Sequence, residues 1–534
     1  MRLANFLLSL AALALLFLAS PPAGAQPILI DSNANAVAED LALGNFGQDA
    51  HAGVVAAWRD SASEDLAIDF YRYEELPSSN WAAERIAQVS DVATSPTDSP
   101  APAVRIVLGD YSRDGKTDLT VMYNSNLTTT SLKHYQRTSP GFAAGDTSMA
   151  NIASETNGEF QARFWQDIAL ADIIGDGVPT LISHSIDLYR TATGSANSQR
   201  HLGYGAQDIY FHRRDDGSTP FGSGSHSADK EIARTTTEEG PLAVGDVTGD
   251  GEPELIWAEN IWNRSPGWGH QFTLYVASNN GGAAGGAYDA DDRSEYYDEQ
   301  PTQMYPNGTP TLVLAVNEFL YGASYGQFGV TAMVAGQDIT RDGTPDIVVA
   351  RHDDFYGVDY GAANGMDDTD DLGVLQVLQI SSATGALAAN TTFAFDTEDF
   401  GTYKWTHLAS ADVNCDGEVD LVAVAENTDT GNWHLFLYEW DQGGFVAGDG
   451  PGSNGWPTDD TFVPPDAGSL LNSATRTDLI PASSDAIVAL AVGSADGDAD
   501  DEIVYSLGNG EIYVLDICGD LKEVPVNLSD FLLE

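Results

Sequence analysis

"ADVNCDGEVDLVAVAEN" occupies residues 411–427. Its first half sets Asp412, Asn414 and Asp416 at alternate positions, adds Gly417 and closes with Asp420; its second half is apolar and β-prone. Carboxylates crowded into one tight turn repel unless something positive sits between them. Side chains at loop positions 1, 3 and 5 converge, position 9 returns to close the cage, and a backbone carbonyl at position 7 can add an oxygen. Gly at position 6 allows the left-handed backbone that reverses the chain. Six to eight hard oxygens in a flexible shell suit calcium, whereas magnesium demands stricter octahedral geometry. An EF-hand starts with similar spacing but needs Glu at position 12 and flanking helices. Here the closing acid is at position 9 and strands flank the loop. The alternative is an Asx-type turn that holds no ion.

The stretch has relatives along the chain. "GDYSRDGKTDLTVMYN" starts at Gly109, "ADIIGDGVPTLISH" at Ala171, "GDVTGDGEPELIWAEN" at Gly245, "QDITRDGTPDIVVARH" at Gln337 and "GSADGDADDEIVYSLG" at Gly493, with a worn copy, "GNFGQDAHAGVVAAW", at Gly44. The seven first loop positions are 45, 110, 172, 246, 338, 412 and 494. The pattern D-x-x-x-D-G-x-x-[D/E] is complete at 110, 246, 338 and 412, against about a tenth of a match expected by chance from this composition.

The expected calcium ligands follow from the pattern. They are Asp412, Asn414, Asp416 and Asp420 in the fullest copy; Asp110, Ser112, Asp114 and Asp118; Asp338, Thr340, Asp342 and Asp346; Asp246, Thr248, Asp250 and Glu254; and Asp496, Asp498 and Glu502 in the last unit. The third unit keeps Asp172 and Asp176 but has Ile174 and Thr180, so it is expected to bind weakly or not at all. The first, with Asn45 and Gly53, has lost the site. Four to five structural calcium ions are expected.

Each unit repeats one grammar. An apolar run such as "AVRIVLG" precedes the loop, and a β-prone run such as "DIVVA" follows it. A third run carries aromatics, as in "WHLFLYEW", and a weaker fourth resembles "AAERIAQVS". Gly, Asn, Ser and Pro separate the runs. Units that cannot bury both faces alone stack radially, so the expected fold is all-β: a seven-bladed β-propeller of four-stranded antiparallel blades, with the acidic loops between first and second strands. The last unit runs short, and "QPILIDS" near the start could supply its missing strand.

These units resemble FG-GAP/VCBS repeats, such as those of the integrin alpha-subunit head. The fifth is most similar, with Phe328-Gly329 opening its first strand and "DITRDGTPDIVV" following; Ala350-Arg351-His352 stands where that family would place Gly-Ala-Pro. The resemblance covers nearly the whole chain after the first 25 residues. It implies a seven-bladed propeller with calcium in the loop between the first two strands of some blades.

A formal charge of −57 argues against nucleic acid or an anionic membrane as partner. Five lysines stand against eighteen arginines. Residues 1–25, with Arg2, an apolar stretch and Ala23-Gly24-Ala25 before Gln26, read as a secretory signal peptide, leaving 26–534 as the propeller. The protein is therefore expected to be secreted, periplasmic or at the cell surface. No later segment is apolar for long enough to insert in a membrane. Cys415 and Cys518 are the only cysteines, and either one bridge or two buried thiols fits them.

The connection after each second strand should lie at the end of the blade opposite the acidic loop. Residues there include Trp58, Arg59, Asp60, Tyr123, Asn124, His184, Glu259, Asn260, Arg351, His352, Glu426 and Asn427, and long connections add Tyr204, Trp262 and Trp268. Aromatic faces stack on sugar rings and polar groups sort hydroxyls. A module binding a glycan or an extracellular protein is the expected function. The alternative is a polysaccharide lyase, with His184, Tyr204, Arg351 and His352 as weak candidates for neutralising a uronate and abstracting its neighbouring proton.

Overall fold

The computed structural model describes residues 27–518 apart from 46–51, 64, 75–79, 90–103, 127–128, 138–141, 151–159, 174–176, 178, 190–205, 214–229, 236–240, 250, 262–270, 278–311, 315–328, 353–372, 381–386, 394–402, 441–473 and 498–499. Residues 1–25, read above as a signal peptide, lie outside that set. Every regular element described is a β-strand.

A short strand, β1 (Ile28–Ser32), precedes the first sheet, which holds β2 (Ala36–Asn45), β3 (Ala52–Asp60), β4 (Leu66–Glu74) and β5 (Asn80–Val89). The second holds β6 (Val104–Gly109), β7 (Asp118–Asn126), β8 (Thr129–Arg137) and β9 (Phe142–Ala150). The third holds β10 (Phe160–Ala171), β11 (Thr180–Tyr189), β12 (Ala206–Arg213) and β13 (Lys230–Thr235). The fourth holds β14 (Leu242–Gly245), β15 (Glu254–Ile261), β16 (Gln271–Ala277) and β17 (Leu312–Leu314). The fifth holds β18 (Gly329–Gln337), β19 (Asp346–His352), β20 (Gly373–Ile380) and β21 (Leu387–Phe393). The sixth holds β22 (Tyr403–Ala411), β23 (Asp420–Asn427), β24 (Asn432–Trp440) and β25 (Ala474–Asp478). The seventh holds β26 (Ile487–Gly493), β27 (Glu502–Leu507) and β28 (Glu511–Leu515), and takes β1 as its fourth strand.

Within each sheet, neighbouring strands pair antiparallel in sequence order. The first strand of each sheet packs on the first strand of the next, and β26 packs back on β2. The result is an antiparallel β-propeller, closed by β1 on β28. Tyr71 secures the closure from the first sheet: its hydroxyl donates to Asp31 Oδ2 (2.8 Å) and accepts from Trp58 Nε1 (2.9 Å).

The second strands show why the sheets stack. Val54 and Ala56 pack toward the seventh sheet with Val504, while Val55 and Ala57 pack toward the second with Leu119 and Val121. Likewise Ile347 and Val349 face the fourth sheet, and Val348 and Ala350 the sixth. Alternate residues thus serve two different interfaces. A strand buried on both faces reads as an unbroken apolar run instead of an alternating one. Each fully buried Val or Ile contributes on the order of 1.5–3 kcal/mol.

The first strands converge, and where β14 meets β18 the residues at the approach must be small. A Cβ on Gly245 would lie 2.4 Å from the carbonyl oxygen of Ala335, and Gly336 opposite has φ +90°. Five of these strands also carry a bulge at one level, at Ala38/Asp40, Trp165/Asp167, Val330/Ala332, Trp405/His407 and Ile487/Ala489. Bulges re-aim side chains, and here several reach the neighbouring sheet. Asp40 Oδ2 accepts from the Ile106 amide (2.7 Å), Asp167 Oδ2 from the Leu242 amide (3.4 Å), and Thr331 Oγ1 donates to the Trp405 carbonyl (2.7 Å). Burial pushes the Asp40 carboxyl up to about 6, against the pull of Arg105, and pushes the His407 imidazole down to about 4.

Candidate metal centres

The acidic loops follow the first strands and share one geometry. The position-1 carboxylate caps the turn. Asp110 accepts from the amides of Asp114 (3.0 Å) and Gly115 (2.9 Å), Asp338 from those of Asp342 (3.0 Å) and Gly343 (2.7 Å), and Asp412 from those of Asp416 (3.1 Å) and Gly417 (2.9 Å). Asp246 does the same for Gly249 and Gly251, both at 2.7 Å, and Asp172 accepts from the Gly177 amide (2.5 Å). The backbone turns left-handed twice, at position 4 (Arg113, Gly249, Arg341 and Cys415) and at the glycine of position 6 (φ +79 to +89°). Position 2 anchors the loop: Tyr111, Ile173, Val247, Ile339, Val413 and Ala495 are all buried. That apolar anchor was not part of the pattern read from the sequence.

The closing acid at position 9 is the first residue of the second strand. Asp118, Glu254, Asp346, Asp420 and Glu502 are each only 0–2% exposed. An Asp there accepts from the amide of position 3, as Asp118 does from Ser112 and Asp346 from Thr340, both at 2.8 Å. The longer Glu reaches position 2, as Glu254 does at Val247 (2.8 Å) and Glu502 at Ala495 (2.6 Å). Thr180 takes this place in the third loop, equally buried and uncharged. Asp250 and Asp498 lie outside the described residues, as does most of the first loop; Asp496 belongs to the described part of the last loop.

The loop is thus an Asx-type turn and a carboxylate cage at once. Buried carboxylates cost several kcal/mol unless paired or coordinated. Asp118 Oδ1 and Asp420 Oδ2 are buried and make no hydrogen bond to described residues. Hard oxygen donors with an unused buried oxygen fit a calcium ion. The residues that would hold it are Asp110, Ser112, Asp114 and Asp118 in the second loop, and Asp412, Asn414, Asp416 and Asp420 in the sixth.

Tertiary structure brings further groups to these cages. Gln379 Nε2 donates to Asp346 Oδ1 (2.8 Å), Asp342 Oδ2 (2.9 Å) and Thr340 Oγ1 (3.2 Å) in the fifth loop. His134 Nε2 stands 3.4 Å from Asp118 Oδ2 in the second. Arg341 of the fifth loop reaches the sixth, 3.1 Å from Asp416 Oδ2 and 3.3 Å from Asp420 Oδ1. Glu439 on β24 accepts from Asn414 Nδ2 and adds a carboxylate to the same cage. Burial, with Asp416 and Glu439 beside it, pushes the Asp420 carboxyl up to about 7 despite Arg341; burial alone is the main cause for Asp346, also up to about 7. One step of strand register links Glu439 to Asp420, whose neighbours Tyr438 and Leu421 are paired, so a register assignment would have found it. Nothing local in the sequence marks Arg341.

A disulfide joins Cys415, at position 4 of the sixth loop, to Cys518 beyond β28, with 5.9 Å between Cα atoms. Of the two readings left open above, the bridge is the one observed.

The opposite-end residues divide. Trp58 and Tyr123 are buried core side chains, which corrects their reading as surface recognition groups. The register of the second strands turns these residues into the wall between sheets. Arg59 pairs with Glu39 (3.1 Å). Asp60 and Asn427 are turn caps: Asp60 Oδ1 accepts from the amides of Ala62 and Ser63, and Asn427 Oδ1 from the Thr430 amide. His184 lies within β11 of the third sheet, and Arg351 and His352 end β19 of the fifth, so no shared ladder unites them. Tyr204 lies outside the described residues, as do Trp262 and Trp268.

The fold and its loops define a β-propeller with carboxylate cages at one end of its inner strands. No family model and no curated protein matches the chain. Among solved structures it is similar to the Dos1 propeller (10% identity, 92% of this chain and 95% of that one, TM-score 0.38). It is also similar to the Aleuria aurantia lectin in complex with Fucalpha1-6GlcNAc (10%, 78% and 95%, TM-score 0.34), and to the exotype rhamnogalacturonan lyase YesX (10%, 90% and 90%, TM-score 0.31). Likeness at this level carries nothing about activity.

Proposed function

We propose that the chain is an exported, calcium-stabilised, seven-bladed β-propeller of the FG-GAP/VCBS type. Its role is that of a binding or adhesion module for a glycan or an extracellular protein. The observation that supports the calcium reading is the closing acid, buried at the root of five loops and left with an unused oxygen at Asp118 and Asp420. An ion there links the start of each second strand to the end of the first, so its role is structural. Recognition then falls to the other end of the blades, whose long connecting sequences carry Arg, His and aromatic residues.

Two experiments test this. Calcium should raise the melting temperature and a chelator lower it; coincident melts would refute the metal reading. The module reading expects saturable binding to a panel of glycans, acidic polysaccharides included, without turnover. Steady release of unsaturated sugar ends, read by ultraviolet absorbance and lost in His352→Ala or Tyr204→Phe, would make the protein a lyase instead.

A further inference from the structure

The sixth loop has the fullest ligand set in the sequence, and its cage is entered by a cation from the neighbouring loop. We propose that Arg341 is a built-in competitor for the metal at the sixth loop, holding the cage in the calcium-free protein and leaving it when an ion binds.

The geometry is specific. Arg341 Nη2 sits 3.1 Å from Asp416 Oδ2 and 3.3 Å from Asp420 Oδ1, and the arginine side chain is only 17% exposed. Both carboxylates are ligands in the expected set, so guanidinium and metal compete for the same oxygens. Asp420 keeps its second oxygen, Oδ2, buried and without a hydrogen-bond partner. One arginine therefore leaves part of the cage unsatisfied, and a divalent ion satisfies it better.

Position 4 of the fifth loop makes the reach feasible. Arg341 is in a left-handed conformation (φ 58°), unusual for a non-glycine residue, and reaches the next sheet. Among the described residues no other loop shows the arrangement. Position 4 is Gly249 in the fourth loop and Cys415, tied in a disulfide, in the sixth. The second loop has Arg113, but the loop after it closes with Thr180 instead of an acid.

Two consequences follow. The sixth site binds calcium more weakly than its ligands alone suggest. Loading it also releases an ion pair between the fifth and sixth sheets, so this site responds to changes in calcium level while simpler cages stay filled.

This inference rests on the calcium reading, and the experiment separates the two. Calcium binding is measured by titration calorimetry on chelator-stripped full-length protein, as wild type, Arg341→Gln, Arg341→Lys, Asp416→Asn and the Arg341→Gln/Asp416→Asn pair. Arg341→Gln should tighten one class of site by about ten-fold or more, because two charge-assisted contacts no longer compete. Arg341→Lys, which lacks the planar fork, should fall between. The pair should lose the tightened site. Melting should show the converse: Arg341→Gln is less stable than wild type in chelator and equal to it in saturating calcium. Superimposable isotherms for wild type and both arginine variants, with one ion still lost in Asp416→Asn, would overturn the competition and leave the calcium reading intact. No calcium bound by any of them would overturn both. Should Arg341→Gln fail to fold without calcium, Arg341→Lys decides by the same comparison.

Discussion

Reducing the Cys415–Cys518 bridge should destabilise the protein by more than any single side-chain contact in the sixth loop. The bridge closes a segment with a sequence separation of 103 residues, carrying β23 to β28. In the chain-entropy model, cross-linking a loop of that length removes about 4.7 kcal/mol of freedom from the unfolded chain; measured effects are usually about 2–4 kcal/mol. For a chain of this size, where unfolding entropy grows with length and each kcal/mol moves the midpoint by only about 1 °C, that corresponds to a fall of roughly 2–5 °C in melting midpoint. The assay compares melts in calcium with and without reductant, and Cys415→Ser and Cys518→Ser with wild type. Thiol labelling under denaturing conditions confirms the oxidised state. Cys415 is also flanked by Asn414 and Asp416, so if the proposed calcium sites are loaded, reduction should weaken one of them and leave the rest unchanged. A midpoint that moves by less than about 2 °C would refute the reasoning, showing that the packing of the last two sheets alone confines the segment.

Three further outcomes are expected. In chelator, stability should fall as pH rises from 5.5 to 8: burial holds the Asp346 and Asp420 carboxyls up at about 7, above their unfolded value, so their contribution is complete below about pH 4 and is lost as pH passes through 7. Saturating calcium should flatten that slope, and equal slopes with and without calcium would contradict it. Gly245→Ala should cost more than Gly109→Ala, by about 2 kcal/mol in chemical denaturation, because the new methyl meets the Ala335 carbonyl in one case and the movable end of Leu170 in the other; equal costs would argue against the close approach of β14 and β18. Deleting Ile28–Ser32 should open the ring by baring β28, lowering the midpoint and promoting association through the exposed edge; a variant that melts like wild type and stays monomeric by light scattering would remove β1 from the closure.

Much of this protein is legible locally. Turn residues, apolar runs and the one-three-five-nine spacing of acids act within about ten residues, so they appear as a pattern in the chain. The capping role of Asp412 and the left-handed Gly417 follow from that spacing, and so does the burial of Asp420 where loop becomes strand. The need for a strand from the start of the chain is legible too, because the last unit is one run short. Other readings failed for a physical reason. Trp58 and Tyr123 look like surface aromatics at strand ends, but a strand packed between two sheets has no outer face, so both are core.

The sequence by itself determined the repeat, the strand-rich class and the composition of each cage, since these depend on neighbours along the chain. Only the tertiary structure decided what stands opposite each cage. Gln379 meets Asp346 across 33 residues, Arg341 meets Asp420 across 79, and Cys415 meets Cys518 across 103. Those partners are chosen by which sheets lie side by side in the ring and by strand register, and neither is encoded in the loop itself. For that reason the sixth loop, the fullest by its letters, also meets an arginine from the fifth loop and the carboxylate of Glu439 from β24.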